Sequence, residues 1–140
     1  FPDAKIIHVK RNSAATCWGN YKQYFTSKTL GYSYDLDDLI TYYGLYQNLM
    51  QFWEEQYGDR IYSLNYESLT ENQEVETRKL IKYLDLKWEQ ECLAPQDNKR
   101  SVPTASSSSK QIRQKVYQDS SQKWKKFEPF LNGVFNQLDD

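Results

Sequence analysis

Apolar and polar positions alternate along the chain in patterns whose period changes from element to element. Ala4–Val9 is a short apolar run rich in β-branched residues, the pattern of a buried strand. Beyond it Asn12 or Ser13 supplies an N-cap. Ala14, Cys17, Trp18, Tyr21 and Phe25 then recur at i, i+3, i+4, i+7 and i+11, one apolar stripe on a helix. Lys28–Tyr34, with Gly31, reads as a loop. Asp35 caps the longest helix, and Asp37 and Asp38 in its first turn complement the helix dipole. Its stripe is Leu36, Leu39, Ile40, Tyr43, Tyr46, Met50, Trp53 and Tyr57. Tyr42, Leu45, Leu49 and Phe52 cover a second face, so the pattern predicts a helix buried on two sides and ended by Gly58.

Arg60–Tyr66 reads as a second strand. The long helical connection before it calls for a parallel crossover rather than a hairpin, so the fold class is α/β, with strands at about 4–9 and 60–66 and mainly helical connections. Thr70 and Gln73 have the spacing of a capping box for a helix through Leu84, with Leu80, Ile81 and Leu84 facing inward. Trp88–Leu93 adds a further helical turn or two. Pro95–Ser109, with two prolines and the Ser106–Ser109 run, is a loop that either wanders freely or wraps a ligand. Gln111–Tyr117 is helical again. A last helix begins around Ser120–Lys123 and carries Trp124, Phe127, Phe130, Leu131 and Val134, and no internal repeat is visible.

Length and composition bound what this pattern can do. A chain of 140 residues forms one domain with a real core, yet an α/β enzyme usually needs more. The start at Phe1, without an initiator methionine, leads us to expect a fragment whose upstream part includes any targeting signal. No apolar run approaches the ~18 residues of a membrane span, and no secretory signal is visible, so no membrane association and a cytoplasmic location are expected. Cys17 and Cys92 lack CxxC spacing and a nearby histidine, which predicts reduced thiols and no metal. His8, the sole histidine, sits in the first apolar run as either a packed or a catalytic residue, and a Ser-His-Asp triad within the chain would have to use it.

The net charge of −1 hides an asymmetry. Asp35–Pro95 carries thirteen acids and five bases, whereas Lys99–Lys126 carries eight bases against Asp119 alone. The basic segment therefore docks on the acidic middle, remains a solvated face, or meets an anion. Nucleic-acid binding is not expected, because the chain is acidic overall and its aromatics fall at core spacings. Arg11 focuses the anion reading. It stands at the carboxyl end of a predicted parallel strand, just before a helix amino terminus, where open α/β sheets bind ligands. A guanidinium beside unpaired helix N–H groups can grip a phosphate, although many strand-end arginines make only surface ion pairs.

Three stretches taken in order, Lys5–Phe25, IYSLNYESLT from Ile61 to Thr70, and KRSVPTASSSSKQIRQKVYQDSSQKW from Lys99 to Trp124, resemble the carboxyl-terminal part of a sulfotransferase. The nearest group contains protein-tyrosine sulfotransferases and bacterial sulfotransferases that often carry tetratricopeptide repeats. Such enzymes move a sulfuryl group from 3′-phosphoadenosine 5′-phosphosulfate (PAPS) to a hydroxyl or amine without a metal. The resemblance implies a helix-rich, partial P-loop-type parallel sheet, with residues 1–94 as core and 95–140 as a basic cofactor-covering loop and terminal helices. It implies that Arg11 holds the 3′-phosphate and that Tyr66, matching the tyrosine of a Tyr-Glu-Asp-Leu motif, lies near the nucleotide. Ser108, Ser109, Lys110 and Gln111 would close over the adenosine, with Ser106 the competitor if Thr104-Ala105-Ser106 is the true family Thr-Ala-Ser. Lys123 matches a basic position that reaches the nucleotide phosphate.

The departures from the family pattern are equally specific. Asn12 and Ser13 replace Asp-Pro after the arginine, Gly19 replaces a phosphate-binding serine, and Gln23 replaces an arginine. Lys22 or Ser13 is the candidate substitute. The Gly-rich loop for the 5′-phosphosulfate and an identifiable general base are absent from these residues, so the chain is expected to be inactive alone. The acceptor stays open between protein tyrosine, carbohydrate and small molecule. A noncatalytic interaction domain on a degenerate scaffold is the alternative. The truncated sheet would expose edges and apolar faces, which predicts a homodimer.

Overall fold

A computed structural model of the chain describes residues 3–97 and 116–138. Two compact units divide it, one formed by Phe1–Ser63 with Asp119–Asp140 and the other by Leu64–Gln118.

In the first unit, strand β1 (Ile6–Lys10) leads through Arg11 and Asn12 into helix α1 (Ser13–Tyr21). Asn12 is the N-cap, its Oδ1 accepting the Ala15 amide at 2.9 Å. Helix α2 (Leu36–Tyr57) is capped by Asp35, whose Oδ1 accepts from the Asp37 and Asp38 amides, and it ends at Gly58. A short 3₁₀ turn, Gly58–Arg60, then feeds strand β2 (Ile61–Asn65), which pairs with β1 in a parallel two-stranded sheet. The α/β expectation and the parallel crossover hold, and both strand positions are within two residues of the pattern.

The core of this unit sits between α1, α2 and the carboxyl-terminal segment, around Ala14, Cys17, Leu39, Tyr43, Leu131 and Phe135. Leu39 is 2% exposed, so its burial contributes roughly 1.5–3 kcal/mol. Four expectations change here. Strand β1 is not buried: Ile6 and Val9 stay 45% and 55% exposed, because a two-stranded sheet leaves most of each face without a covering layer. Helix α2 is fully buried only at Leu39 and Tyr43; Tyr42, Leu45, Leu49 and Phe52 of the second face stay exposed, as do Trp53 and Tyr57 at the end of the first stripe. Lys28–Tyr34 is not a plain loop but two 3₁₀ turns broken at Leu30, the first capped by Ser27. Finally, the last helix starts at Ser120 as expected but is a 3₁₀ helix that stops at Phe130, short of Leu131 and Val134; it is entered through Asp119 in the left-handed region (φ 67°) and contains Pro129, which cannot donate to an α-type ladder. A second 3₁₀ segment, Val134–Gln137, follows Gly133 at φ 70°.

The second unit opens with the end of β2. Helix α3 (Tyr66–Glu71) starts at once, with Asn65 Oδ1 accepting the Ser68 amide at 2.7 Å. Helix α4 (Gln73–Tyr83) follows a break at Asn72. The Thr70–Gln73 capping box does not form. Thr70 still lies inside α3, where its hydroxyl donates to the Glu67 carbonyl at 2.9 Å, while Gln73 donates to the Leu93 carbonyl at 3.1 Å. Helix α4 ends in a Schellman arrangement: the Leu86 amide bonds the Ile81 carbonyl, the Asp85 amide bonds the Lys82 carbonyl, and Asp85 takes φ 55°. The turn expected at Trp88–Leu93 is a 3₁₀ helix over Gln90–Leu93, followed by another over Pro95–Asp97. Of the helix expected over Gln111–Tyr117, only Val116 and Tyr117 are described, and neither is helical.

Candidate functional site

Local sequence explains where Arg11 stands. The strand ends at Lys10, Asn12 leaves the helical region as an N-cap (φ −41°, ψ 127°), and the arginine between them is held at the strand-to-helix corner. It is half-buried. Its Nε donates to Ser121 Oγ at 3.1 Å and its Nη2 to Ser120 Oγ at 3.4 Å, contacts spanning some 110 positions of sequence. Ser121 is only 4% exposed, so a buried hydroxyl orients the guanidinium without contributing charge of its own.

Beside Arg11 lies a cavity of about 230 Å³, walled by Val9, Thr16, Asn20, Leu39 and four tyrosines, Tyr32, Tyr42, Tyr43 and Tyr46. None of these lining residues carries a carboxylate. Thr16 and Asn20 stand one helical turn apart on α1. The Thr16 hydroxyl donates to the Asn12 carbonyl at 3.0 Å, which commits its hydrogen to the helix and makes the Asn20 amide the donor that α1 brings to this wall. Tyr32 and Tyr42 stack at 3.9 Å and 11°. Tyr46 Oη and His8 Nε2 are 2.5 Å apart, and Glu54 Oε1 lies 3.7 Å from His8 Nδ1. Burial, and then the neighbouring Glu54, raise the Tyr46 pKa above its ordinary value; burial and then Tyr42 raise that of Tyr32. Both phenols therefore stay neutral around pH 7 and serve as hydrogen-bonding surfaces rather than bases. The arrangement suits the anionic end of a ligand set among aromatic rings. Its volume falls below the roughly 300–1,000 Å³ of whole small-molecule sites.

The other sequence candidates lie on different elements. Lys123 is exposed on the carboxyl-terminal 3₁₀ helix, three positions beyond Ser120 in the same unit. Tyr66 is half-buried as the first residue of α3, in the second unit. Ser108, Ser109, Lys110 and Gln111, with the competing Ser106, lie outside the described residues. His8 packs against Tyr46. Cys17 is fully buried in the core, where desolvation pushes its thiol up to about 12, and Cys92 is a free thiol in the second unit. Among the described residues no group of histidines, cysteines and carboxylates could hold a metal ion, and no helix is long and apolar enough to cross a membrane. Sequence reasoning missed Ser120 and Ser121, which read only as a helix start, and Asn20, whose sole signal is its i, i+4 spacing from Thr16. The cavity tyrosines of α2 read as core or second-face residues.

Comparison with known proteins supplies a further finding. A family profile described as "Sulfotransferase family" matches residues 1–90. A protein of Aquifex aeolicus (strain VF5), described only as an uncharacterized protein, is 36% identical over 142 aligned positions, covering 100% of this chain and 18% of its own length. The chain thus spans less than a fifth of that relative. No solved structure matches.

Proposed function

Because the chain belongs to the sulfotransferase family, we propose that it carries the adenosine and 3′-phosphate side of a PAPS site. In the complete parent the sulfuryl group would pass to a hydroxyl or amine acceptor. The observation that carries this reading is Arg11 on the cavity wall, with its guanidinium fixed by Ser120 and Ser121. The lining fits a phosphate: a guanidinium and the Asn20 amide are donors, no carboxylate opposes them, and the neutral phenols tolerate an anion at close range. When bound, PAPS supplies the activated sulfuryl group. The residues of this chain contribute binding and orientation. Arg11 would hold the 3′-phosphate, with Tyr66, Ser108, Ser109, Lys110, Gln111 and Lys123 as the further nucleotide contacts the family pattern assigns.

Calorimetry with adenosine 3′,5′-bisphosphate tests the reading. A charged hydrogen-bond donor is worth about 1.5–3 kcal/mol, so Arg11→Ala is expected to weaken binding roughly 10- to 150-fold. Arg11→Lys should recover only part of the loss, since a lysine cannot make the paired contact. Equal affinity of wild type and Arg11→Ala would refute the assignment. A second reading, a noncatalytic interaction domain, draws on the outward-facing row of Tyr42, Leu45, Leu49 and Phe52 on α2. Failure of the full-length parent to bind adenosine 3′,5′-bisphosphate would favour it.

A further inference from the structure

We infer that Ser121, assisted by Ser120, is the positioning residue that makes Arg11 selective for a ribose 3′-phosphate, so that the carboxyl-terminal 3₁₀ helix tunes the anion grip from the far end of the chain. This inference rests on the donor-site reading and adds to it a residue that the family pattern does not assign.

The helix geometry carries the argument. A 3₁₀ helix repeats every three residues, so side chains at i and i+3 eclipse and form straight ridges. Ser121, Trp124 and Phe127 share one such ridge in Ser120–Phe130. Phe127 stacks on Trp18 of α1 at 4.6 Å and 30°, and Trp124 meets Phe135 edge-on at 5.5 Å. Two aromatic contacts thus clamp the ridge against the core and set the height at which Ser121 meets the guanidinium. An arginine has four rotatable side-chain bonds, and a loosely held guanidinium samples many positions. A buried acceptor 3.1 Å from Nε removes that freedom in advance of ligand binding, which improves affinity by lowering the ordering cost.

The neighbouring ridge contains Ser120, Lys123 and Lys126. Ser120 accepts from Nη2 at 3.4 Å, and the 3₁₀ period places Lys123 on the same ridge. Gly19 offers no side chain at the position where the family pattern has a phosphate-binding serine. Two hydroxyls of the carboxyl-terminal segment act instead on the guanidinium.

Binding of adenosine 3′,5′-bisphosphate and of adenosine 5′-monophosphate to the whole chain, each before and after Ser121→Ala, separates positioning from simple structural support. Loss of discrimination is expected: Kd for the bisphosphate rises about tenfold while that for the monophosphate changes less than twofold. In an Arg11→Ala background Ser121→Ala should add nothing. Ser120→Ala, whose contact is longer, should cost about two- to threefold. As a readout independent of the nucleotide, the Arg11 Nε–H resonance should shift on adding inorganic phosphate in the wild type and lose that response in Ser121→Ala. Equal losses for both nucleotides, or an undiminished loss without Arg11, would overturn the positioning claim alone. Absence of binding by nucleotide and phosphate alike would overturn it together with the donor-site reading.

Discussion

Two arginines in this chain show two uses of the same side chain. Arg78, on α4 of the second unit, donates Nε and Nη2 to the Glu74 carboxylate at 2.9 and 2.7 Å and lies 3.9 Å over the Trp88 ring. Its charge is used within α4 and its flat face by Trp88, beyond the end of that helix. Arg11, in the first unit, is fixed by serine hydroxyls on a cavity wall whose lining brings no carboxylate. A carboxylate partner neutralises a guanidinium, whereas a hydroxyl partner orients it and leaves its field in place. Arg11 thus lines a cavity whose walls bring no carboxylate, whereas Arg78 is engaged by a carboxylate on an exposed helix face.

The largest effect should come from the packing that supports the Arg11 side. Leu39→Ala removes a buried side chain of the core that also lines the cavity, and is expected to cost about 2–5 kcal/mol in denaturant unfolding. The same change at the exposed Leu86 of the second unit should stay within ~0.5 kcal/mol. Next comes Gly133→Ala. Its φ of 70° and an Asn136 Nδ2 only 3.0 Å from the added Cβ predict a loss of about 1–2 kcal/mol in the first unit. Arg78→Ala follows, at roughly 0.5–1 kcal/mol for an exposed helical ion pair with a cation–π contact, and without a measurable change in nucleotide affinity. The two thiols sharpen the same division. Near pH 8 a soluble disulfide reagent should modify Cys92 promptly and Cys17 only on unfolding, because Cys17 is fully buried and its thiolate form is reached only around 12. Prompt reaction of both would contradict the core placement.

Much of this was legible in the polar–apolar pattern where one force acted alone. Asp35 and Asn12 cap the helices they precede because a side-chain acceptor beside bare amides is a local matter. Both strands and their parallel crossover follow from spacing and from the length of α2. What failed depended on neighbours. Nothing in the stripe of β1 reveals that so few strands accompany it, and the second apolar face of α2 looks the same whether it is covered or not. The 3₁₀ form of Ser120–Phe130 hides behind residues that also suit an α-helix, Pro129 being the one local warning. Arg11 could be singled out from its place at a strand end. Its serine partners, some 110 positions away, are set by packing and left no local trace.

Exposed Ile6 on the sheet, with Trp53 and Tyr57 on α2, lines an apolar groove of about 520 Å³ together with Met50, Arg60 and Ile61. Light scattering on the isolated chain should show concentration-dependent association through this surface, weakened by Trp53→Glu. A strictly monomeric chain at high concentration would exclude the homodimer.

The central claim is that Arg11 reads a 3′-phosphate. Its most direct measurement is the ratio of dissociation constants for adenosine 5′-monophosphate and adenosine 3′,5′-bisphosphate on the same chain. The account predicts a ratio of about ten or more that collapses toward one in Arg11→Ala. A ratio near one in the wild type would contradict it.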